Sequence, residues 1–159
     1  SVAKKLKGIA QIHLAGLGSR IFYLDHSGFD THADQVLTHA RLWEEVSTAI
    51  RDFFDDLKAH NASDNVVMFL FSEFGRRVHD NGGGTDHGAG GVCLAIGEGV
   101  KGGQYGEYPS TRPSDLDQGD LIPATDFRSV YTTLVEDWMG LDAVPVVGGN
   151  FEKPEFILK

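Results

Sequence analysis

Along the chain, Val2, Leu6, Ile9, Ile12 and Leu14 recur at roughly helical spacing, and Gly16-Leu17-Gly18 follows with the composition of a helix stop. The chain is therefore predicted to open with a helix docked by one face. Ile21-Phe22-Tyr23-Leu24 reads as a short strand, and the breaker-rich stretch from Asp25 to His32 as a polar loop. From about Ala33 to His60, the residues Val36, Ala40, Trp43, Val46, Ile50, Phe53, Phe54 and Leu57 form one stripe, which predicts a long amphipathic helix. After a turn at Asn61-Ala62-Ser63-Asp64-Asn65, the six apolar residues Val66 to Phe71 do not alternate, the pattern of a central parallel strand buried on both faces. Strand, helix and strand together predict a right-handed βαβ crossover. Val92 to Ile96 reads as a further strand, and Asp126 as the cap of a helix through Val130, Leu134, Val135 and Trp138 that stops at Gly140. The tail, with Pro145, Gly148-Gly149 and Pro154, reads as an irregular wrap with one short terminal strand.

Length and charge narrow this picture. A chain of 159 residues closes one core and is short for two, so a single domain over residues 1–159 is the default. Its 14 basic and 23 acidic residues give a formal charge of −9, which argues against nucleic-acid or anionic-lipid partners and for cations or small molecules. The single cysteine, Cys93, excludes an internal disulfide and a Cys-rich zinc cluster, so any metal must be held by histidines and carboxylates. In its apolar setting Cys93 reads as a small buried hydrophobe. No apolar run approaches the roughly 20 residues of a membrane span. Twelve of the 20 glycines fall between Gly75 and Gly106.

Three polar clusters sit at the ends of predicted strands: Gly28-Phe29-Asp30-Thr31-His32, Ser72-Glu73-Phe74-Gly75-Arg76-Arg77 and Gly84-Thr85-Asp86-His87-Gly88. Loops at the carboxyl ends of parallel strands converge on one crevice in open α/β sheets. Asp30 and His32 lie two residues apart, which in extended chain lets both chelate one ion; the alternative is that Asp30 caps the following helix and His32 lies on its first turn. Glu73, after so apolar a strand, points into a polar pocket, pairs with a cation or is exposed. Arg76 and Arg77 serve either as its ion-pair partners or as a clamp for a phosphate or sulfate oxygen. The glycines around Asp86 and His87 allow close chain approach at a crowded site; the plainer reading is a solvated surface hairpin. The loop lacks P-loop spacing, and no helix pattern follows it.

Taken in order, Gly-Phe-Asp-Thr-His at 28–32, Ser-Glu-Phe-Gly-Arg at 72–76, Gly-Thr-Asp-His-Gly at 84–88 and Thr-Asp-Phe-Arg at 125–128 resemble the uncharacterised DUF1501 family. That family is related to the alkaline phosphatase and sulfatase superfamily of metal-dependent ester hydrolases. The resemblance implies a three-layer α/β/α sandwich, with this chain as its carboxyl-terminal part and a partial sheet around the βαβ core. It implies a divalent metal, zinc first, with manganese, calcium or magnesium as alternatives. Asp30, His32, Glu73, Asp86 and His87 are the implied ligands, and Arg76 and Arg77 the contacts to the oxyanion of a small anionic ester. Phe74 stands where the superfamily carries a metal-binding histidine, so the first metal site is better matched than the second. No hydroxyl of the chain matches the superfamily nucleophile, which implies that the isolated chain is inactive. The competing expectation is a non-catalytic scaffold in which the same clusters are structural. Relatives often carry export signals, which implies an exported, periplasmic full-length protein, and a truncated sheet predicts self-association.

Overall fold

A computed structural model describes residues 1–158. The fold is mixed α/β, with helices and small two-stranded sheets, and the chain divides into two compact units. The first comprises Ser1–Asn65 and His79–Asp86, the second Val66–Val78 and the residues from His87 onward.

Two helices build the first unit. Helix α1 (Val2–Leu14) begins at Ser1, whose hydroxyl accepts a hydrogen bond from the Lys4 amide, and buries Val2, Leu6 and Ala10, each one turn from the next. It ends where the sequence predicts, with Gly16 at φ 64° beyond the last turn. Helix α2 (Gln35–Ala59) buries Leu42, Val46, Ala49, Phe53, Phe54 and Leu57. The second half of the predicted stripe holds, but Val36 and Leu37 are more than four-fifths exposed and Trp43 is partly so. Leu42 and Ala49 face inward in their place. At its carboxyl end the Asn61 amide donates to the Lys58 carbonyl and the Ala62 amide to that of Leu57, with Asn61 at φ 52°. This is a Schellman stop with asparagine in the left-handed position.

The predicted strand at Ile21–Leu24 does not form. Residues 21–26 alternate exposed and half-buried as a strand would, yet among the described residues no strand pairs with them. Without that strand there is no βαβ crossover. Lys5 reaches the segment instead, its ammonium donating to the carbonyl and carboxylate of Asp25 at 2.7 and 2.6 Å. Beyond it, Phe29 presents edge-on ring contacts to His26, His39 and Trp43.

In the second unit, β1 (Met68–Leu70) pairs antiparallel with β4 (Leu94–Ile96), Phe69 opposite Ala95. The expected parallel, doubly buried strand is thus corrected to a short antiparallel one of intermediate burial, with Phe71 half exposed just after it. An unbroken apolar run records that both faces are apolar but carries no information on the direction of its neighbour. The glycine-rich stretch between them is a hairpin of β2 (Gly75–Asp80) and β3 (Thr85–Gly88), the plainer of the two readings of its sequence. Its base requires glycine: a Cβ on Gly75 would lie 2.0 Å from the Gly90 carbonyl oxygen, and one on Gly88 2.7 Å from the Arg76 carbonyl carbon. Helix α3 (Phe127–Thr133) starts at Asp126 and continues into a π turn over Leu134–Trp138 before Gly140 at φ 68°. The short helix α4 (Val144–Val147) follows. Val135, Ala143, Phe156 and Ile157 are buried, and Val100 bridges Ile157 of the tail in an antiparallel contact. Cys93 is exposed, not buried as its apolar neighbours suggest, because β4 begins only at Leu94 and Val92 beside it faces solvent.

Candidate metal centre

The site of the first unit is assembled by the docking of the hairpin tip on the start of α2. A helix leaves its first amides without intrahelical partners. Asp34, preceding α2, has φ 50° and gives no side-chain cap, so the Gln35 amide donates to the Gly83 carbonyl of the hairpin at 3.1 Å. The Gln35 side chain exchanges hydrogen bonds with the Thr85 hydroxyl, both at 3.1 Å. Gly84 is buried against the Thr31–His32 backbone, where a Cβ would sit 2.9 Å from the Thr31 carbonyl oxygen and from the His32 carbonyl carbon. The absence of a side chain at Gly84 thus brings Asp86 beside His32.

His32 lies between two carboxylates. Its Nε2 is 2.9 Å from Asp30 Oδ1 and its Nδ1 is 3.2 Å from Asp86 Oδ1. The residue preceding the helix is Asp34, so Asp30 is not its cap and His32 does not lie on its first turn; the two side chains pair with each other instead. Asn81 completes the cluster. Its amide nitrogen donates to Asp86 Oδ1 at 3.1 Å and to the His32 carbonyl at 3.2 Å, while its amide oxygen accepts from the amides of Gly83 and Gly84 at 3.1 and 2.9 Å. The His32 side chain is 48% exposed, and those of Asp30 and Asp86 61% each, so solvent screens these charges and the contacts serve position more than stability.

The other candidates belong to the second unit. His87 stacks on Phe74 with ring centroids 4.1 Å apart and planes 7° from parallel. The Phe74 ring therefore gives His87 a flat support. The Arg76 guanidinium lies 4.9 Å from the centroid of the same ring, and Arg77 pairs with Asp120 at 3.3 Å. Glu73 is exposed, in a turn where the Phe74 amide donates to the Ser72 hydroxyl. Asp126 caps α3 through the Arg128 amide, as expected, and also holds the Arg128 side chain at 2.6 Å. The Arg128 guanidinium keeps the Asp126 carboxyl at about 2.

Two residues that organise the site, Asn81 and Gln35, are not singled out by sequence reasoning. Asp80-Asn81-Gly82 is a turn signal, and the Asn81 backbone amide closes that turn on the Gly84 carbonyl at 2.9 Å, two residues before Asp86.

The family model for DUF1501, described as a protein of unknown function, matches residues 4–146. The chain belongs to the DUF1501 family. No curated protein and no solved structure matches this DUF1501 chain. Among its described residues no helix is long and apolar enough to cross a membrane.

Proposed function

We propose that this DUF1501 chain is the metal-binding part of an alkaline-phosphatase-like hydrolase of phosphate or sulfate esters, a portion of a larger three-layer α/β/α sandwich. The observation that carries the reading is the placement of Asp30 and Asp86 on the two ring nitrogens of one histidine. The donors offered by Asp30, His32, Glu73, Asp86 and His87 are carboxylate oxygens and imidazole nitrogens, a set that fits zinc and is also acceptable to manganese, calcium or magnesium. When bound, the cation supplies Lewis-acid polarisation of an ester oxygen and lowers the pKa of a nucleophile. Asp30 and His32 bind and orient it. Arg76 and Arg77 offer planar guanidinium groups to the oxygens of the group being transferred. No hydroxyl of this chain is assigned as nucleophile, and the isolated chain is expected to be inactive.

A scaffold role is favoured by the engagement of Arg77 with Asp120 and by the hydrogen bonds that Asp86 Oδ1 already accepts. Thermal unfolding with zinc, manganese, calcium or magnesium separates the two readings. A ligand that binds only the folded state adds about 2.7 kcal/mol at a hundredfold excess over its Kd. A rise in Tm with one of the cations supports the metal reading, whereas a flat response to all four favours the scaffold. Assay of the intact gene product on phosphate and sulfate esters, with His87→Ala as control, then tests hydrolysis. Self-association through exposed Ile21, Tyr23, Val36 and Leu37 is part of the same proposal. Light scattering checks it, and a monodisperse monomer counts against it.

A further inference from the structure

Resting on the metal reading above, we infer that Asp86 and Asn81 are positioning residues rather than ligands: Asn81 fixes Asp86, and Asp86 fixes the tautomer and ring orientation of His32 so that Nε2 is presented beside Asp30. A neutral imidazole carries one hydrogen, and His32 faces a carboxylate at each nitrogen; Asp86 Oδ1 is already committed to the Asn81 amide, so the cation of the metal reading takes the Asp30 side and the hydrogen stays on Nδ1, 3.2 Å from Asp86 Oδ1. The lone pair then belongs to Nε2, which lies 2.9 Å from Asp30 Oδ1. Asp30 and His32 thereby form the edge of a coordination polyhedron, and Asp86 completes a carboxylate–histidine–metal triad from behind.

Asn81 explains why Asp86 takes the outer place. Both amide hydrogens and both lone pairs of Asn81 are used, on the His32 carbonyl, Asp86 Oδ1 and the Gly83 and Gly84 amides. Its side chain therefore has no freedom to turn away. Asp86 Oδ1 in turn receives two donors, the Asn81 amide and the His32 ring. An oxygen held by two hydrogens has little remaining capacity for a cation. The same amide grips the His32 backbone, so the imidazole is fixed at its root and at Nδ1 by one side-chain pair.

The test combines zinc titration by calorimetry with long-range 1H–15N correlation of the His32 ring in the zinc-loaded chain. The wild type is expected to show Nε2 coordinated and Nδ1 protonated. Asn81→Ala and Asp86→Ala are expected to weaken zinc binding about 10–100-fold at unchanged stoichiometry, the usual cost of losing an outer partner. Asp86→Asn, whose amide oxygen still accepts from Nδ1, is expected to recover part of that loss. It also keeps the test open if Asp86→Ala fails to give a native circular-dichroism spectrum. Coordination through Nδ1, an unchanged affinity in Asp86→Asn, Asp86→Ala and Asn81→Ala, or a change of stoichiometry in the Asp86 variants overturns the positioning role. A wild type that takes up no zinc overturns the metal reading and this inference with it, and that result is distinct because it appears before any substitution.

Discussion

Gly84→Ala puts the assembly of the site to a direct physical test. The added Cβ would stand 2.9 Å from the Thr31 carbonyl oxygen and the His32 carbonyl carbon and 3.0 Å from the His32 carbonyl oxygen, about 0.5 Å inside the 3.4 Å at which ordinary contact begins. All three atoms are backbone, so no side chain can swing aside to make room. Either the Thr31–His32 peptide or the hairpin tip must move. Overpacking of this kind costs about 1–3 kcal/mol, or about 2–12 °C in Tm for a chain of this size. The neighbouring glycine is the control. A Cβ on Gly83 would meet its nearest neighbour, Ala33 Cα, at 3.5 Å, which is ordinary contact, so Gly83→Ala is expected to leave Tm nearly unchanged. Thermal melts of the two variants followed by circular dichroism give the comparison. Equal Tm values for Gly84→Ala and the wild type would refute the argument that this glycine is required by close approach, and equal losses in both variants would refute its restriction to position 84.

Leu57→Ala removes a side chain with no exposed surface from α2 and is expected to cost about 2–5 kcal/mol, seen as a lower denaturant midpoint at unchanged m. Thr133→Val keeps the shape of a fully buried side chain but removes the hydroxyl that donates to the Pro154 carbonyl at 2.9 Å and also faces that of Ser129. The expected loss is about 1–3 kcal/mol in chemical denaturation, and a neutral result would show that the Pro154 carbonyl finds another donor. For Asp126, the carboxyl is held at about 2 against an ordinary 3.8, so its contribution is complete above about pH 4 and is lost as pH falls through about 2. Carbon-detected NMR titration of that carboxyl is expected to give the depressed midpoint in the wild type and one near the ordinary value in Arg128→Ala. An ordinary midpoint in the wild type would contradict the assignment.

What the sequence made legible was local. The stop after α1 is carried by Gly16, the cap of α3 by Asp126, and the buried half of α2 by Val46, Phe53, Phe54 and Leu57, each through neighbours within a few positions. Pairing is not local in that sense. Ile21–Leu24 has strand-forming residues but no partner, and Val66–Phe71 has the composition of a central strand but pairs with a single antiparallel neighbour. Capping failed to be legible for the same reason: the Gln35 amide is satisfied by Gly83, far along the chain, so the start of α2 could not be inferred from Asp30. Asp30, His32 and Asp86, which the structure brings together, stood out by residue type and spacing. Asn81 did not, because an amide with four polar contacts and an amide in an ordinary turn have the same sequence.

The full use of the Asn81 amide bears on how this protein ages. Asparagine followed by glycine is prone to spontaneous conversion to aspartate or isoaspartate: the next amide nitrogen attacks the side-chain carbonyl, ammonia leaves, and water opens the cyclic imide. Here the Gly82 amide donates to Asp80 Oδ1 at 2.7 Å and the Asn81 oxygen accepts from two amides, so both groups must give up hydrogen bonds before they can react, which the closed hairpin tip resists. Conversion would set a new carboxylate where a donor had faced Asp86, replacing attraction by repulsion. Deamidation at Asn81, followed by mass spectrometry during storage, is therefore a built-in clock for opening of the tip: slow in the wild type and faster in Gly84→Ala. Equal rates in both would break that link between chemical lifetime and docking.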